Sequence, residues 1–359
     1  MRNTRLIIDL DKYKSNINKI KKYVDDKTIM PIVKANGYGT YINKRIDILN
    51  HFKVLGVALV EEAVEIRKLG YKGDILVLNQ PIIDEIDDII KYDISVGVCE
   101  FSFFKELINK NSKVKVHLEI ETGMNRTGIS IDNLVKFLDR IKKSSLILDG
   151  VYSHFSSADF DEEYTNLQIS KFKNAVDIID KYTMKPKYIH IEASSGIIKK
   201  NNLDFINTVR PGIITYGYEP FSGSNDILKV EPICELVSSI VYVKDVKKGE
   251  AISYGQRFIC DSDMTIATIP IGYADGYRRD FTNKGYVYIN NHKARVVGSV
   301  CMDSIMVDVT GFDAKVGDEV IIFDDKNIKL DELADMCDTI NYEIISNISY
   351  RVPRMFIKN

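Results

Sequence analysis

One lysine in this sequence stands where its charge is hard to solvate. Lys34 ends the run Ile29-Met30-Pro31-Ile32-Val33 and is followed by Ala35-Asn36-Gly37-Tyr38-Gly39, with two glycines close behind it. Ile32 and Val33 are core types, so the chain delivers an ammonium group to the end of a buried strand. Two readings follow. The stem can lie along the core while the head snorkels to the rim. Alternatively, burial lowers the ammonium pKa and leaves a nucleophilic amine able to form a Schiff base.

The rest of the composition narrows the setting. Basic and acidic residues number 49 and 51, for a net charge of −2, without the basic surplus of a phosphate-led nucleic-acid binder. Hydrophobic residues make 45% and charged residues 28%, the balance of a globular protein rather than a disordered one. The five cysteines, Cys99, Cys234, Cys260, Cys301 and Cys337, are scattered and form no CxxC pair, which argues against a disulfide framework and a zinc site. Only three apolar residues separate the Met1–Arg5 opening from Asp9, which reads as neither a signal peptide nor an anchor. No apolar run approaches the ~18–20 residues that cross a bilayer. A cytoplasmic protein is expected, with no nucleic-acid or membrane partner. Tyrosine is abundant at 20 and tryptophan absent.

The elements that must position Lys34 are read from periodicity. Eight short runs, nearly continuously apolar and β-branched, recur through the first two thirds: Ile29–Lys34, Val54–Leu59, Asp74–Asn79, Ile94–Cys99, Val114–Glu121, Leu148–His154, Tyr188–Ala193 and Thr208–Tyr216. Such runs suit parallel strands buried on both faces. Amphipathic stretches lie between them, at Glu61–Leu69 and Asn166–Tyr182, and Ile131, Leu134, Val135, Leu138 and Ile141 make one apolar stripe. The alternation predicts an α/β fold, a (β/α)₈ TIM-like barrel, over residues 8–225. After Phe221–Asp226 the pattern changes to consecutive strand-like segments: Ile233–Val243, Met264–Pro270, Tyr286–Ile289, Arg295–Val300, Ile305–Val309 and Glu319–Phe323, then one late helix, Leu330–Cys337. Residues 226–359 are expected to form a mostly-β domain, which residues 1–7 could join. Active sites of barrels gather at the carboxyl ends of the strands, where Lys34 stands.

The stretch Val33-Lys34-Ala35-Asn36-Gly37-Tyr38-Gly39 resembles the pyridoxal-phosphate lysine motif of the alanine racemase family. The resemblance covers essentially the whole chain. Ile7-Ile8-Asp9-Leu10-Asp11, Gly56-Val57-Ala58-Leu59-Val60-Glu61-Glu62-Ala63, Glu121-Thr122-Gly123-Met124-Asn125-Arg126-Thr127-Gly128 and Ser153-His154-Phe155 resemble barrel motifs, as does Val209-Arg210-Pro211-Gly212-Ile213. Ser253-Tyr254-Gly255, Gly272-Tyr273-Ala274-Asp275-Gly276-Tyr277, Cys301-Met302-Asp303 and Tyr350-Arg351-Val352-Pro353-Arg354 resemble motifs of the family's β domain.

The resemblance implies that Lys34 and Tyr254 are the two acid/base groups, working on opposite faces of an α-carbon, as racemisation requires. It implies that Arg210 donates to the cofactor's ring nitrogen and His154 stacks on the ring. The phosphate would sit among Tyr38, Ser194, Gly212, Ile213 and Tyr350. Arg126, Met302, Asp303 and Tyr273 would meet the small amino-acid substrate. The resemblance also implies a homodimer in which Tyr254 faces the partner's Lys34, and a role in supplying D-alanine for cell-wall peptidoglycan.

Some residues depart from the family pattern. Glu119 stands where many members carry a carbamylated lysine, and would hold Arg126 with a permanent carboxylate. Ala193 replaces a usual asparagine, which leaves serine open beside alanine as substrate; Thr40 and Asn125 replace a histidine and a glycine. Two competing readings remain: a fold-related amino-acid decarboxylase, which the run of racemase motifs disfavours, and a non-catalytic pyridoxal-phosphate carrier, which the β domain disfavours.

Overall fold

The computed structural model describes residues 3–201 and 203–358. The first strand, β1 (Arg5–Asp9), belongs to the second half of the molecule. The next eight are parallel: β2 (Thr28–Ile29), β3 (Val54–Val57), β4 (Asp74–Val77), β5 (Ser95–Val98), β6 (Lys115–Glu119), β7 (Ile147–Tyr152), β8 (Tyr188–His190) and β9 (Thr208–Val209). Strands β3 to β8 pair in sequence order, and β2 pairs with β9. Single bridges, Ile32 to Gly56 and Ala193 to Arg210, close the two seams into a ring.

The strands are shorter than the apolar runs that announce them. Beyond Ile29 only Ile32 forms a bridge in the first run, and Thr208–Tyr216 gives up its strand after Val209. Pro31 and Pro211 bring no N–H to a ladder. Ile213–Tyr216 turns instead into a 3₁₀ helix whose residues are all buried. The stripe on the helix Ile131–Lys142 also differs from the expected one. Leu134, Phe137, Leu138 and Ile141 are buried, whereas Val135 faces solvent. The helix Glu162–Lys181 starts earlier than Asn166 because Asp161 caps it, accepting from the Tyr164 N–H at 2.9 Å.

The remaining strands are β10 (Cys234–Ser239), β11 (Tyr242–Val246), β12 (Ala251–Ile252), β13 (Phe258–Ile259), β14 (Met264–Ile269), β15 (Tyr286–Ile289), β16 (His292–Arg295), β17 (Ile305–Asp308), β18 (Glu319–Phe323) and β19 (Arg354–Ile357). One sheet runs β16-β15-β18-β10-β1-β19, a second runs β11-β14-β17, and β12 pairs with β13. The expected strand Ile233–Val243 is thus two strands in different sheets. The expected strand Arg295–Val300 yields to β16, because consecutive left-handed residues, Asn290 at φ 49° and Asn291 at φ 64°, turn β15 back on itself two residues later. A second late helix, Asn341–Ser346, follows the expected one, here Leu330–Met336.

One contiguous apolar core runs through both halves. Arg354 adds a polar tie between them: its Nε donates to the Gly39 carbonyl at 2.9 Å, while Nη1 and Nη2 hold the Ser349 and Ile348 carbonyls. The helix Asn341–Ser346 is thereby fixed against the turn that follows Lys34.

Candidate active site

Lys34 sits where the first barrel run abandons extended backbone. Four residues after it are left-handed, with φ of 52° at Ala35, 54° at Asn36, 61° at Gly37 and 55° at Tyr38. Each non-glycine residue in that region costs about 1–2 kcal/mol, so the turn persists only because its surroundings enforce it. Glu62 is the enforcer, one oxygen accepting from the Ala35 N–H at 2.5 Å and the other from Ala58 at 2.8 Å and Leu59 at 3.1 Å. The turn aims the lysine into a cavity of about 260 Å³ at the carboxyl ends of the strands. Burial, followed by the positive charge of Arg126 and then of Arg210, lowers the Lys34 pKa; Glu62 opposes them. The amine is therefore a better nucleophile and base than a solvated lysine.

Arg210 forms the cavity floor, only 3% exposed. Nη1 donates to His190 Nδ1 at 2.6 Å and to the His190 carbonyl at 3.0 Å. Nη2 reaches the Ser153 carbonyl at 2.8 Å, His154 Nδ1 at 3.0 Å and the Ile191 carbonyl at 3.2 Å. Burial draws the guanidinium pKa down to about 10, leaving it charged at neutral pH. These contacts engage both terminal nitrogens and leave Nε–H as a donor. The His154 pKa is pushed down to about 3 by burial and by the charges of Arg210, Arg126 and Lys34. Its Nδ1 accepts from a group that can only donate, so the neutral ring carries its proton on Nε2.

The opposite wall brings a glycine backbone close to the Ser194 and Tyr38 hydroxyls. The Gly212 N–H donates to Ser194 Oγ at 3.0 Å, and Ser194 opens a short helix. A Cβ on Gly212 would stand 2.5 Å from Tyr38 Oη, so only glycine lets the backbone come this close. Ile213, expected beside it, is fully buried in the core and does not line the cavity. Tyr350, expected here, is 83% exposed and does not line the cavity. Besides Tyr38 and Tyr152, the second domain contributes Tyr342, its ring 6.1 Å from that of Tyr38. The sequence offers two tyrosines eight positions apart, and the packing of Asn341–Ser346 on the Lys34 turn selects the first.

Arg126 lines the cavity mouth. Glu119 is buried and accepts from Thr127 Oγ1 at 2.8 Å; no ion pair within 4.0 Å joins it to Arg126 among the described residues. Burial raises its pKa, with Thr127 and Arg126 opposing. The expected direct grip on Arg126 is thus replaced by a link through the neighbouring Thr127.

The other expected residues gather on a separate face, in the second domain. Ser253 has φ 66°, its Oγ donates to the Ser299 carbonyl at 2.7 Å, and Ser299 Oγ donates to the Tyr254 carbonyl at 2.8 Å. This mounting leaves Tyr254 74% exposed, lining an open groove with Cys301. Tyr273 and Met302 stand beside it, the Tyr273 N–H bonding to the Cys301 carbonyl at 3.0 Å, and both are exposed. Asp303 pairs with Arg351 at 2.6 Å. None of Tyr254, Tyr273, Met302 and Asp303 lines the Lys34 cavity.

Sequence reasoning missed Tyr342, the clamp Glu62, and the buried His190 and Tyr152 beneath the cavity. Glu62 lies inside a quoted motif and was legible as a helix-start carboxylate. The other three carry no local signal.

A closed parallel barrel with a strand-end lysine, followed by a mostly-β domain, defines a two-domain barrel enzyme. Residues 8–220 match the model of the alanine racemase N-terminal domain and residues 233–356 that of its C-terminal domain. Alanine racemase 1 of Clostridium acetobutylicum is 38% identical, covering 98% of this chain and 95% of that protein. Alanine racemase of Staphylococcus epidermidis is 36% identical over 99% and 95%. Among solved structures, alanine racemase of Clostridium difficile 630 superposes with a TM-score of 0.94 at 33% identity, covering 100% and 97% of the two chains. Alanine racemase of Bacillus anthracis with bound L-Ala-P gives 0.93 at 32%, covering 100% and 96%. The chain belongs to the alanine racemase family. No helix among the described residues is long and apolar enough to cross a membrane.

Proposed function

We propose that this chain interconverts L- and D-alanine using pyridoxal phosphate held in the barrel cavity. The observation that carries the reading is the cavity's polarity. An amine of lowered pKa stands at one side, an unengaged Arg210 Nε–H on the floor, and a Gly212 cradle with the Ser194 and Tyr38 hydroxyls at the wall. A flat ring bearing an aldehyde, a ring nitrogen and a phosphate fits those three features. When bound, the cofactor supplies an electron-withdrawing ring that acidifies the substrate's α-hydrogen.

Lys34 would hold the cofactor and then move a proton at one face of the α-carbon. Arg210 cannot release its proton at working pH, so it would keep the ring nitrogen unprotonated and moderate the withdrawal. His154, neutral, would lie against the ring. Tyr38, Ser194, Gly212 and Tyr342 would hold the phosphate. Arg126, presented by the Glu119–Thr127 link, would take the substrate carboxylate.

Tyr254 would act at the opposite face, but in one chain it lies on another surface. We therefore propose a head-to-tail homodimer in which Tyr254, Tyr273, Met302 and Asp303 of one subunit cover the partner's cavity. The exposure of these residues supports the dimer. The free state of all five cysteines fits a reducing, cytoplasmic setting, where D-alanine would feed peptidoglycan.

A panel of L-amino acids tests the reading. D-alanine as main product supports it; carbon dioxide would mark a decarboxylase, neither product a carrier, and faster turnover of serine than alanine would reassign the substrate.

A further inference from the structure

Beneath Arg210 the barrel interior holds charge-bearing side chains that the proposed chemistry does not use. His190 on β8, His117 on β6 and Asp149 on β7 line up away from the cavity. His190 Nε2 lies 3.1 Å from His117 Nδ1, and His117 Nε2 lies 3.7 Å from Asp149 Oδ2. Both histidines are fully buried; at 3.7 Å His117 Nε2 and Asp149 Oδ2 face each other beyond hydrogen-bond distance, and neither atom has a hydrogen-bond partner among the described residues.

The proton positions follow from Arg210 alone. A guanidinium only donates, so His190 Nδ1 accepts and the neutral ring carries its hydrogen on Nε2. That hydrogen points at His117 Nδ1, which must accept in turn. The His117 hydrogen is then on Nε2 and faces the Asp149 carboxylate. Every donor points one way, from guanidinium to carboxylate.

The backbone is shaped for this line. Between β6 and β7 the register shifts, Val116 facing Leu148 and His117 facing Gly150, so Asp149 is the extra residue of a bulge. Bulges re-aim side chains beside active sites. A Cβ at Gly150 would lie 2.1 Å from His117 Nδ1, so the ring occupies space that only glycine leaves. His117 stacks on Tyr188 at 5.7 Å and 20°, and His190 on Tyr152 at 5.2 Å and 6°. Imidazoles that merely filled a core would cost more than leucine or phenylalanine, since buried polar atoms must be paired.

We propose that His190, His117 and Asp149 form a directed relay, two hydrogen bonds from Arg210 to His117 closed by an electrostatic contact with the Asp149 carboxylate, that gives Arg210 a distant counter-charge and fixes its guanidinium plane. His117 and Asp149 are thus positioning residues. No proton moves along the relay; the carboxylate charge polarises two neutral rings, which strengthens the Arg210–His190 and His190–His117 hydrogen bonds. What Arg210 does for the ring nitrogen rests on the racemase reading; the relay itself does not.

Nitrogen-15 spectra of histidine- and arginine-labelled full-length protein test it. His117 and His190 are expected as neutral Nε2–H forms at pH 7.5, with His117 facing Asp149, Asp74, Tyr188 and His190 and no exposed group. A cationic ring, or an Nδ1–H form of His190, overturns the relay. Asp149→Ala is expected to move the His190 and Arg210 resonances. In the loaded enzyme kcat should fall about three- to tenfold as the buried counter-charge is lost, with KM nearly unchanged. Asp149→Asn, which keeps an acceptor without the charge, should fall between. If both variants leave the His190 and Arg210 signals in place while only the melting temperature drops, Asp149 is structural and the relay is wrong. If the tautomers hold but no alanine is racemised, the relay stands and the substrate reading fails.

Discussion

At the barrel mouth Arg210 is 3% exposed and donates to five acceptors, whereas on the second domain Tyr254 is 74% exposed, anchored through its backbone with its ring in solvent. The cavity is finished within one chain: its charges are desolvated, its rings stacked, its strained turn clamped by Glu62. The Tyr254 face is only half a site. Groups whose pKa must be shifted need burial, and burial demands that every polar atom be paired locally. A group delivered to another surface needs only a rigid mount. The contrast shows where a single chain completes chemistry and where it presents a part.

The sharpest way to break the comparison is to destroy each region separately and mix the products. Lys34→Ala and Tyr254→Ala should each lower racemisation by at least about 10³-fold, since each removes an acid/base group. After subunit exchange, an equal mixture should regain about a quarter of wild-type activity, because half of the dimers then hold one intact site of two. Demonstrated heterodimers without activity would mean that the two faces do not meet.

Acid should next separate the regions by stability. His117, His154 and His190 are held neutral by burial, their pKa values lowered. They stay unprotonated in the fold while the unfolded chain takes up protons near the ordinary value of ~6.5. Stability is thus complete above that pH and lost as pH falls below it, by up to about 1.4 kcal/mol per pH unit for each ring. Urea melts at pH 7.5, 6.0 and 5.0, followed by tyrosine fluorescence, check this; a midpoint that holds steady to pH 5 would contradict the buried neutral histidines.

Gly212→Ala should disturb the cavity alone. The added Cβ displaces Tyr38, a crowding cost of about 1–3 kcal/mol, so cofactor affinity measured by absorbance titration should weaken by roughly ten- to a hundredfold. The Tyr254 face should be untouched, and dimerisation by sedimentation unchanged.

The smallest effect is expected at the cavity's edge. Glu119→Gln keeps an acceptor for Thr127 and removes only the charge near Arg126, so KM for alanine should rise roughly two- to fivefold. Removing bicarbonate should not change the wild-type rate. A strong, reversible bicarbonate dependence would show that another group carries the negative charge.

Much of this was legible in the residues. The eight apolar runs announce the barrel, Lys34 announces a strained strand end, and the motif order separates barrel residues from β-domain residues. The limits are equally specific. The resemblance put Tyr350 at the phosphate, whereas the packing of the Asn341–Ser346 helix against the Lys34 turn brings Tyr342 to the cavity. Val135 and Phe137 are both apolar on one helix, and the neighbour's surface chose Phe137.

The sequence by itself determined the periodicities, the residue types at strand ends and the chemistry each type allows, because these are local properties of side chains and backbone. Tertiary structure alone decided that His190, His117 and Asp149 form a line, that Glu62 clamps the turn after Lys34, and that Tyr342 lines the cavity. Those facts depend on ring closure and on bulged register, which bring together residues tens of positions apart, and no short-range spacing encodes them.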